Sequence, residues 1–471
     1  MPAAVPSFTV IIPAYNGAAH LGAAIRSVLA QSCADLELVV VDDASPDDVA
    51  DVVGRFKDPR VRLLKHDVNR GANAARNTGI RASTGRLISF LDQDDLLHPN
   101  RLEADLEFRA RQSDAGVTYG PRYEMNYNSA SIRDLWMPPD PVSLADLVLG
   151  FPLSPTDIVV SRAWVNRVGT WIEDYDVHGG EITFLGRLYM EGCRFEHVVS
   201  APTYRRHQSG RIHRDIEGHC KAELAAQRTI LDDPKCPAEV AALRDVAFSN
   251  TWFVWGCEAF LQGEKSLGQS CLRKALRLNQ TLLDGEPSRL VRSILDRCAA
   301  DDGEDHAALF ACIVSQLPEE IKWVGRHRSW AAGQGLFLKG LRATVWDRSE
   351  EGRSRLENAR ARGVRPDPEI EQRGVHQILS REQVEGHEKG QRSLVSAVSQ
   401  LRSAGYGGSA RRLYAACSMG RGLRRHLLHD GAGVRRNLAR ALCGDPRYAL
   451  NRGVWSMLLR SLGRPARAGE N

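Results

Sequence analysis

The sequence predicts an α/β domain of Rossmann-like strand order followed by an all-α region, and three observations carry that reading. Short β-branched runs alternate with longer amphipathic stretches over the first two hundred residues, the pattern of a sheet covered by helices. After about Gly210 the strand pattern stops, and long helical segments run from His219 to the end. Polar clusters follow three of the predicted strands, at the edge where open α/β sheets hold ligands.

The elements follow in order. Strands are expected at Phe8–Ile12, Leu36–Val41, Val61–Lys65 and Arg86–Leu91, with later ones near Gly116–Tyr123, Asp157–Val160 and Phe195–Val199. Helices should fill Ala19–Gln31, Asp47–Phe56, Ala72–Ala82 and Asn100–Gln112. Pro46 and Pro99 suit helix starts, where a missing amide proton costs nothing. Asn126–Val142, rich in Pro, Ser and Asn, reads as a loop. In the helical region three segments share a Leu-x-x-Ala step, at Leu272/Ala275, Leu356/Ala359 and Leu438/Ala441, at intervals of 84 and 82 residues. That spacing suggests degenerate helical hairpins.

At 471 residues the chain exceeds one ordinary core. The expected division is residues 1–215 for the sheet domain and 216–471 for the helical region. No window offers the roughly 18 apolar residues that span a bilayer, and the N-terminus lacks a secretory pattern. Ten scattered cysteines without a CxxC pair argue against zinc and disulfide scaffolds, and fit a cytoplasmic setting. The net charge of +5 is unevenly spread. From Leu401 onward there are fourteen arginines, no lysine and three acids, so a basic tail follows four hundred residues of net charge −6. A nucleic-acid role is excluded as the leading reading, because no recognised reading module accompanies the basic tail.

The chemistry lies at the strand ends. Strand one ends in Pro13-Ala14-Tyr15-Asn16, strand two in Asp42-Asp43-Ala44-Ser45, and Arg86–Leu91 in Asp92-Gln93-Asp94-Asp95. In the order 3-2-1-4 these clusters meet at one crevice. Neither G-x-G-x-x-G nor a phosphate loop is present, so phosphates must be held another way. A hard divalent ion, Mg²⁺ or Mn²⁺, on Asp94 with Asp92 nearby would bridge carboxylate to pyrophosphate. Arg70 and Arg76 could neutralise further phosphate charge.

Taken together, "TVIIPAYNGAAHLGAAIRSVLAQ", "LELVVVDDAS", "NRGANAARNTGIRASTGRLISFLDQDD" and "YRRHQSG" resemble family 2 glycosyltransferases of the GT-A fold, over roughly residues 7 to 212. The resemblance implies that Asp42 hydrogen-bonds the nucleotide base and that Pro13, Ala14 and Tyr15 shape the nucleoside pocket. It implies a DxD element in Asp92 and Asp94, with Asp94 the principal metal ligand, and allows His207 to complete the metal or diphosphate site. The implied reaction moves a monosaccharide from a nucleoside diphosphate sugar to a hydroxyl of a glycan or lipid-linked saccharide, with inversion. A peripheral membrane contact through the basic tail fits such acceptors.

One position departs from the family. Its members supply the general base from an acidic pair, with Arg six residues after the Asp; here the text is "HGGEITFLGRLYMEG". Counting back from Arg187 puts Glu181 at the Asp and Gly180 at the Glu. The carboxylate is retained on a longer arm, and Asp174 and Asp176 compete for the role. Two rivals stay open: a nucleotidyltransferase, and a catalytically silent sugar-nucleotide-binding or scaffold protein.

Overall fold

The computed structural model describes residues 5–112, 114–126, 131–150, 153–173, 179–207, 215–300, 303–428 and 430–462. The strands are β1 Phe8–Ala14, β2 Leu36–Asp42, β3 Val61–Lys65, β4 Leu87–Phe90, β5 Leu96–Leu97, β6 Val117–Tyr119, β7 Arg122–Asn126, β8 Ile132–Trp136, β9 Ile158–Ser161, β10 Phe195–His197 and β11 Thr203–His207. Helices α1 Ala18–Leu29, α2 Val49–Gly54, α3 Ala72–Ala82, α4 Arg101–Arg111, α5 Leu144–Gly150, α6 Arg162–Val168 and α7 Gly180–Met190 accompany them.

The main sheet runs β10-β6-β9-β4-β1-β2-β3. The expected order 3-2-1-4 is present in its parallel part, with Ala14 level with Asp42, Asp42 with Lys65, and Ile11 with Phe90. Central β1 is buried along its whole length, as its unbroken apolar text requires. Phe8, Val10 and Ile12 face Leu21, Ile25 and Val28 of α1, while Ile11 joins the opposite core with Phe90, Tyr119 and Phe184.

The sheet is mixed, since β9 runs antiparallel to both β4 and β6. Two expectations need correction. The single strand expected over Gly116–Tyr123 is two, because Pro121 has no amide proton to continue the ladder. A Cβ at Gly120 would lie 2.2 Å from the Ala201 carbonyl oxygen, so the chain turns there, and β7 pairs instead with β11, which pairs with β5. The loop expected over Asn126–Val142 contains β8.

The second half supplies α8 Ile216–Leu231, α9 Ala238–Ala241, α10 Arg244–Leu261, α11 Lys265–Leu278, α12 Arg289–Cys298, α13 His306–Ser315, α14 Arg328–Val345, α15 Ser349–Ala361, α16 Pro368–Glu385, α17 His387–Ser403, α18 Gly407–Leu427, α19 Gly431–Gly444 and α20 Arg452–Leu462. Two compact units result. One comprises Met1–Ser131, Trp136–Ile294 and Ala311–Gly325; the other comprises Ile132–Leu135, Leu295–Phe310 and Arg326–Asn471. In the first, Ile216, Leu224, Ile230 and Phe248 of α8 and α10 share a core with Phe184 and Leu188 of α7.

Each Leu-x-x-Ala step lies on the second helix of a hairpin, α10–α11, α14–α15 or α18–α19, and all six side chains are buried. Each first helix brings a glycine against its partner. A Cβ would meet Cys271 at 3.1 Å from Gly256, Leu356 at 3.0 Å from Gly340, and Leu438 at 3.2 Å from Gly422. These glycines repeat the 84- and 82-residue intervals of the leucines.

Candidate functional site

The turns after β1, β2 and β4 are stitched together. Gln93 grips Tyr15 twice, its Oε1 accepting from the Tyr15 amide and its Nε2 donating to the Tyr15 carbonyl, both at 2.9 Å. On the other side the Asn16 amide donates to Ser45 Oγ at 3.4 Å. Sequence-distant clusters therefore converge on one sheet edge. Of the expected nucleoside-pocket residues, Pro13 and Ala14 are buried and Tyr15 is exposed. Asn16 (φ 50°) and Ala44 (φ 58°) hold left-handed backbone, a conformation that costs a non-glycine residue about 1–2 kcal/mol.

Asp42 is buried, accepts from the Ser45 amide at 2.8 Å and has Lys65 Nζ at 3.8 Å. Its neighbour Asp43 organises the approach to α3. It accepts from the Arg70 amide at 2.9 Å and the Gly71 amide at 2.7 Å, and lies 2.6 Å from His66 Nδ1. Sequence reasoning gave Asp43 no task of its own; the doubled aspartate was the signal that two separate tasks are performed.

The acidic run after β4 divides its charge. Asp92 Oδ1 accepts from Arg76 Nη2 at 3.0 Å and its side chain remains about one-third exposed. Asp94 is partly exposed. Asp95 is buried, accepts from Thr156 Oγ1 and the Arg206 amide, each at 3.0 Å, and so anchors β11. Burial, then the charges of Asp92 and Asp94, push its carboxyl well above the usual range. Three close carboxylates are thus tolerated because one is paired, one meets solvent and one is disfavoured as an anion. His20 of α1 feels both Arg206 and Asp94, although burial is the main cause of its lowered basicity; nothing in its surrounding text singled it out.

Arg76, expected to meet phosphate, is 3% exposed. Besides Asp92 it donates to Asn73 Oδ1 at 3.0 Å and lies over the Trp171 ring at 4.9 Å. Arg70 is paired with Glu173 at 2.9 Å. Asn77 receives the Trp171 amide at 2.9 Å and donates to the Trp171 carbonyl at 2.8 Å, tying the 171–173 segment to α3. Arg187 donates to the carbonyls of Thr183, Val168 and Thr170, which fixes the chain leading into Trp171.

Glu181 stands in the first turn of α7, where a carboxylate is favoured by the helix dipole. Burial nonetheless raises its pKa; Arg76 opposes the rise and the like charge of Asp92 adds to it. Glu181 therefore shares an electrostatic neighbourhood with Asp92. At Gly180 a Cβ would lie 2.4 Å from Asn73 Nδ2, so the buried Asn73 occupies the room an acidic side chain would need. Gly179 has φ 121° and packs against Ala226 of α8. Asp174 and Asp176 lie outside the described residues, as does the His207 side chain, although the His207 backbone pairs with Asn126 at the end of β11. Among the described residues no group of three or more His, Cys, Asp or Glu is arranged to hold a metal ion. Asp92 and Asp94 still offer the oxygen donors that a partly hydrated Mg²⁺ or Mn²⁺ takes when substrate phosphates complete its shell.

Residues 9–154 match the family described as Glycosyl transferase family 2. The succinoglycan biosynthesis protein ExoO of Rhizobium meliloti is 48% identical over 27% of this chain and 37% of its own length. The UDP-Glc:alpha-D-GlcNAc-diphosphoundecaprenol beta-1,3-glucosyltransferase WfgD of Escherichia coli is 34% identical over 34% of this chain and 61% of its own. The chain thus spans less than two-thirds of either relative. The S. aureus TarS 1-349 complex with UDP-GlcNAc covers 69% of this chain and 90% of that one at TM-score 0.43 and 17% identity, a likeness too slight to bear on ligands. The N-terminal part of the chain, across residues 9–154, is a glycosyl transferase family 2 domain.

Proposed function

We propose that residues 1–215 form a catalytic domain that transfers a monosaccharide from a nucleoside diphosphate sugar to a hydroxyl acceptor, with inversion at the anomeric carbon. The observation that carries this reading is the stitching of the three strand-end turns around Tyr15 and Asn16, with Asp92 and Glu181 within electrostatic reach of one another. Asp42 binds the base and Pro13, Ala14 and Tyr15 line the nucleoside pocket. Asp92 and Asp94 would hold Mg²⁺ or Mn²⁺, with His207 a further candidate ligand; the ion supplies charge stabilisation for the departing diphosphate. Arg76 positions Asp92, and Arg70 at the pocket mouth can exchange Glu173 for phosphate. Glu181 takes the acceptor's proton as the acceptor oxygen bonds to the anomeric carbon and the bond to the diphosphate breaks. UDP-glucose is the first donor to test, because WfgD carries it in its name.

A glycan or lipid-linked saccharide is the proposed acceptor, approached from the cytoplasmic face of a membrane. Leu423, Leu427 and Leu428 are exposed beside Arg424 and Arg425 at the end of α18, a combination suited to an anionic lipid surface. Among the described residues no helix is long and apolar enough to cross a membrane. Residues 216–471 are proposed as the helical-hairpin region that presents this surface.

The experiment is donor consumption by the full chain with Mn²⁺, with the released nucleotide identified. Nucleoside diphosphate supports the proposal, whereas pyrophosphate indicates a nucleotidyltransferase. Asp94→Ala should abolish turnover; persistence of turnover in that variant under chelator refutes the metal assignment. The silent-binder reading draws on Gly180, and donor binding without turnover across a broad acceptor panel would favour it.

A further inference from the structure

Just past the end of β3, beside the Asp42–Asp43 turn, stands His66, a residue with no task in the function proposed above. Its amide donates to the Asp42 carbonyl at 2.8 Å. Its side chain is 8% exposed, with Nδ1 2.6 Å from Asp43 Oδ1 and Nε2 2.9 Å from Thr78 Oγ1 on α3. Thr78 Oγ1 also accepts from Arg81 Nη2 at 3.2 Å. The ends of this hydrogen-bonded chain give it a direction, because a guanidinium only donates and a carboxylate only accepts. The arrangement that leaves no donor or acceptor idle has the Thr78 hydroxyl donating to Nε2 and Nδ1–H donating to Asp43. The ring is thereby held in one tautomer.

What Asp43 does with its other contacts gives that donor its importance. Helix α3 opens on Gly71, at φ 87°, with no side-chain cap and no acid in its first turn. Amides at a helix start need acceptors, and negative charge is favoured there. Asp43 supplies both from 28 residues away, Oδ1 accepting from the Arg70 amide at 2.9 Å and Oδ2 from the Gly71 amide at 2.7 Å. A carboxylate is planar, so the donor that His66 brings to Oδ1 also governs how Oδ2 meets Gly71. From this start α3 carries Arg76, which holds Asp92 at 3.0 Å, and Asn77, which holds Trp171.

We propose that His66 is a positioning residue for donor binding: it orients Asp43, Asp43 fixes the start of α3, and α3 sets Arg76 against Asp92. The inference rests on the reading of the strand-end turns as the site of a nucleoside diphosphate sugar. The active atom is Nδ1, while the Nε2 contact with Thr78 serves to keep the proton on Nδ1. Amide side chains separate these two contacts, because the nitrogen of asparagine falls where Nδ1 stands and that of glutamine reaches as far as Nε2. Asparagine also donates without needing a tautomer to be set.

The test is calorimetric titration of the full chain with UDP, GDP and dTDP in the presence of Mn²⁺, repeated on His66 variants with whichever nucleotide the parent binds. His66→Asn should keep the Kd within about threefold of the parent, whereas His66→Gln should raise it by about tenfold or more, the scale on which partners that orient a site's ligands act. His66→Phe, similar in bulk but without a donor, should lose as much as His66→Gln, so the loss can be read from either variant. A residue that only filled space would give the reverse ranking, with asparagine, the smallest, the worst. That reverse ranking, or the same Kd in all three variants, overturns the proposal while leaving the donor site standing. A parent that binds none of the three nucleotides sinks the donor-site reading itself, and this proposal with it.

Discussion

At the scale of the residue, the strand-end turns show how one polar run serves several purposes. Of the three aspartates in the Asp92–Asp95 stretch, Asp92 and Asp94 keep solvent access, while Asp95 is spent on holding β11. Asp42 and Asp43 are both buried and divide by partner instead, Asp42 holding the Ser45 amide and Asp43 the Arg70 and Gly71 amides. Ala44 pays for its turn with a left-handed backbone, so Ala44→Gly should raise stability by about 1 kcal/mol, read as a higher Tm. An unchanged or lower Tm would mean that the turn relaxes when the methyl is removed. Glu181 offers a test in pH. Burial lifts its carboxyl above the ordinary glutamate value, so its anion is the form the fold disfavours. Stability from this group is full below the unfolded-state pKa and is lost as pH rises through the folded one. Glu181→Gln should therefore melt higher than the parent near neutrality, by a margin that shrinks on acidification. If Glu181 is the base, turnover should fall as the acid limb is entered, with its inflection above about 4.3. The variant should lose about 10²-fold or more of the rate and that limb with it; a persisting limb assigns it to another group.

At the scale of the element, legibility followed periodicity. Helix α3 spans the expected Ala72–Ala82, because its apolar spacing and its glycine-led start leave little choice. The parallel strands likewise follow from unbroken apolar text. The failures have local causes: Pro121 broke a strand that hydrophobicity alone would continue, and the short β8, with charged residues between its apolar ones, looked like loop. The site divides in the same way. The placement of Asp42, Asp92 and Asp94 at one sheet edge could be read from the turns that carry them, whereas Asn73, Trp171 and Gln93 act through contacts 78 to 99 residues away in sequence. The helical hairpins offer a mechanical prediction. Gly340 lets α14 approach α15 closely, and Gly340→Val would drive a side chain into Leu356. Overpacking of about 1–3 kcal/mol should exceed the modest gain in helix propensity. Denaturant unfolding should show a lower midpoint; an unchanged midpoint would show that the hairpin yields at no cost.

At the scale of the whole molecule, charge and chemistry are unevenly distributed. The acidic turns belong to a first four hundred residues of net negative charge, and the arginines gather after Leu401. If the end of α18 meets anionic lipid, the full chain should pellet with phosphatidylglycerol vesicles but not phosphatidylcholine ones. Salt should weaken the association as the Debye length shortens, and Leu427→Glu with Leu428→Glu should abolish it; equal pelleting with neutral vesicles would exclude an electrostatic contact. Every larger statement rests on the meeting of the strand-end turns at one sheet edge, which the proposed function reads as a nucleotide site. The most direct measurement is a thermal-shift titration of the full chain with UDP, with and without Mn²⁺. The native state should gain stability by mass action, with UDP and Mn²⁺ together raising Tm more than the sum of each alone and Asp94→Ala erasing that excess. A Tm indifferent to every nucleoside diphosphate in the presence of Mn²⁺, or an excess that survives Asp94→Ala, would contradict it.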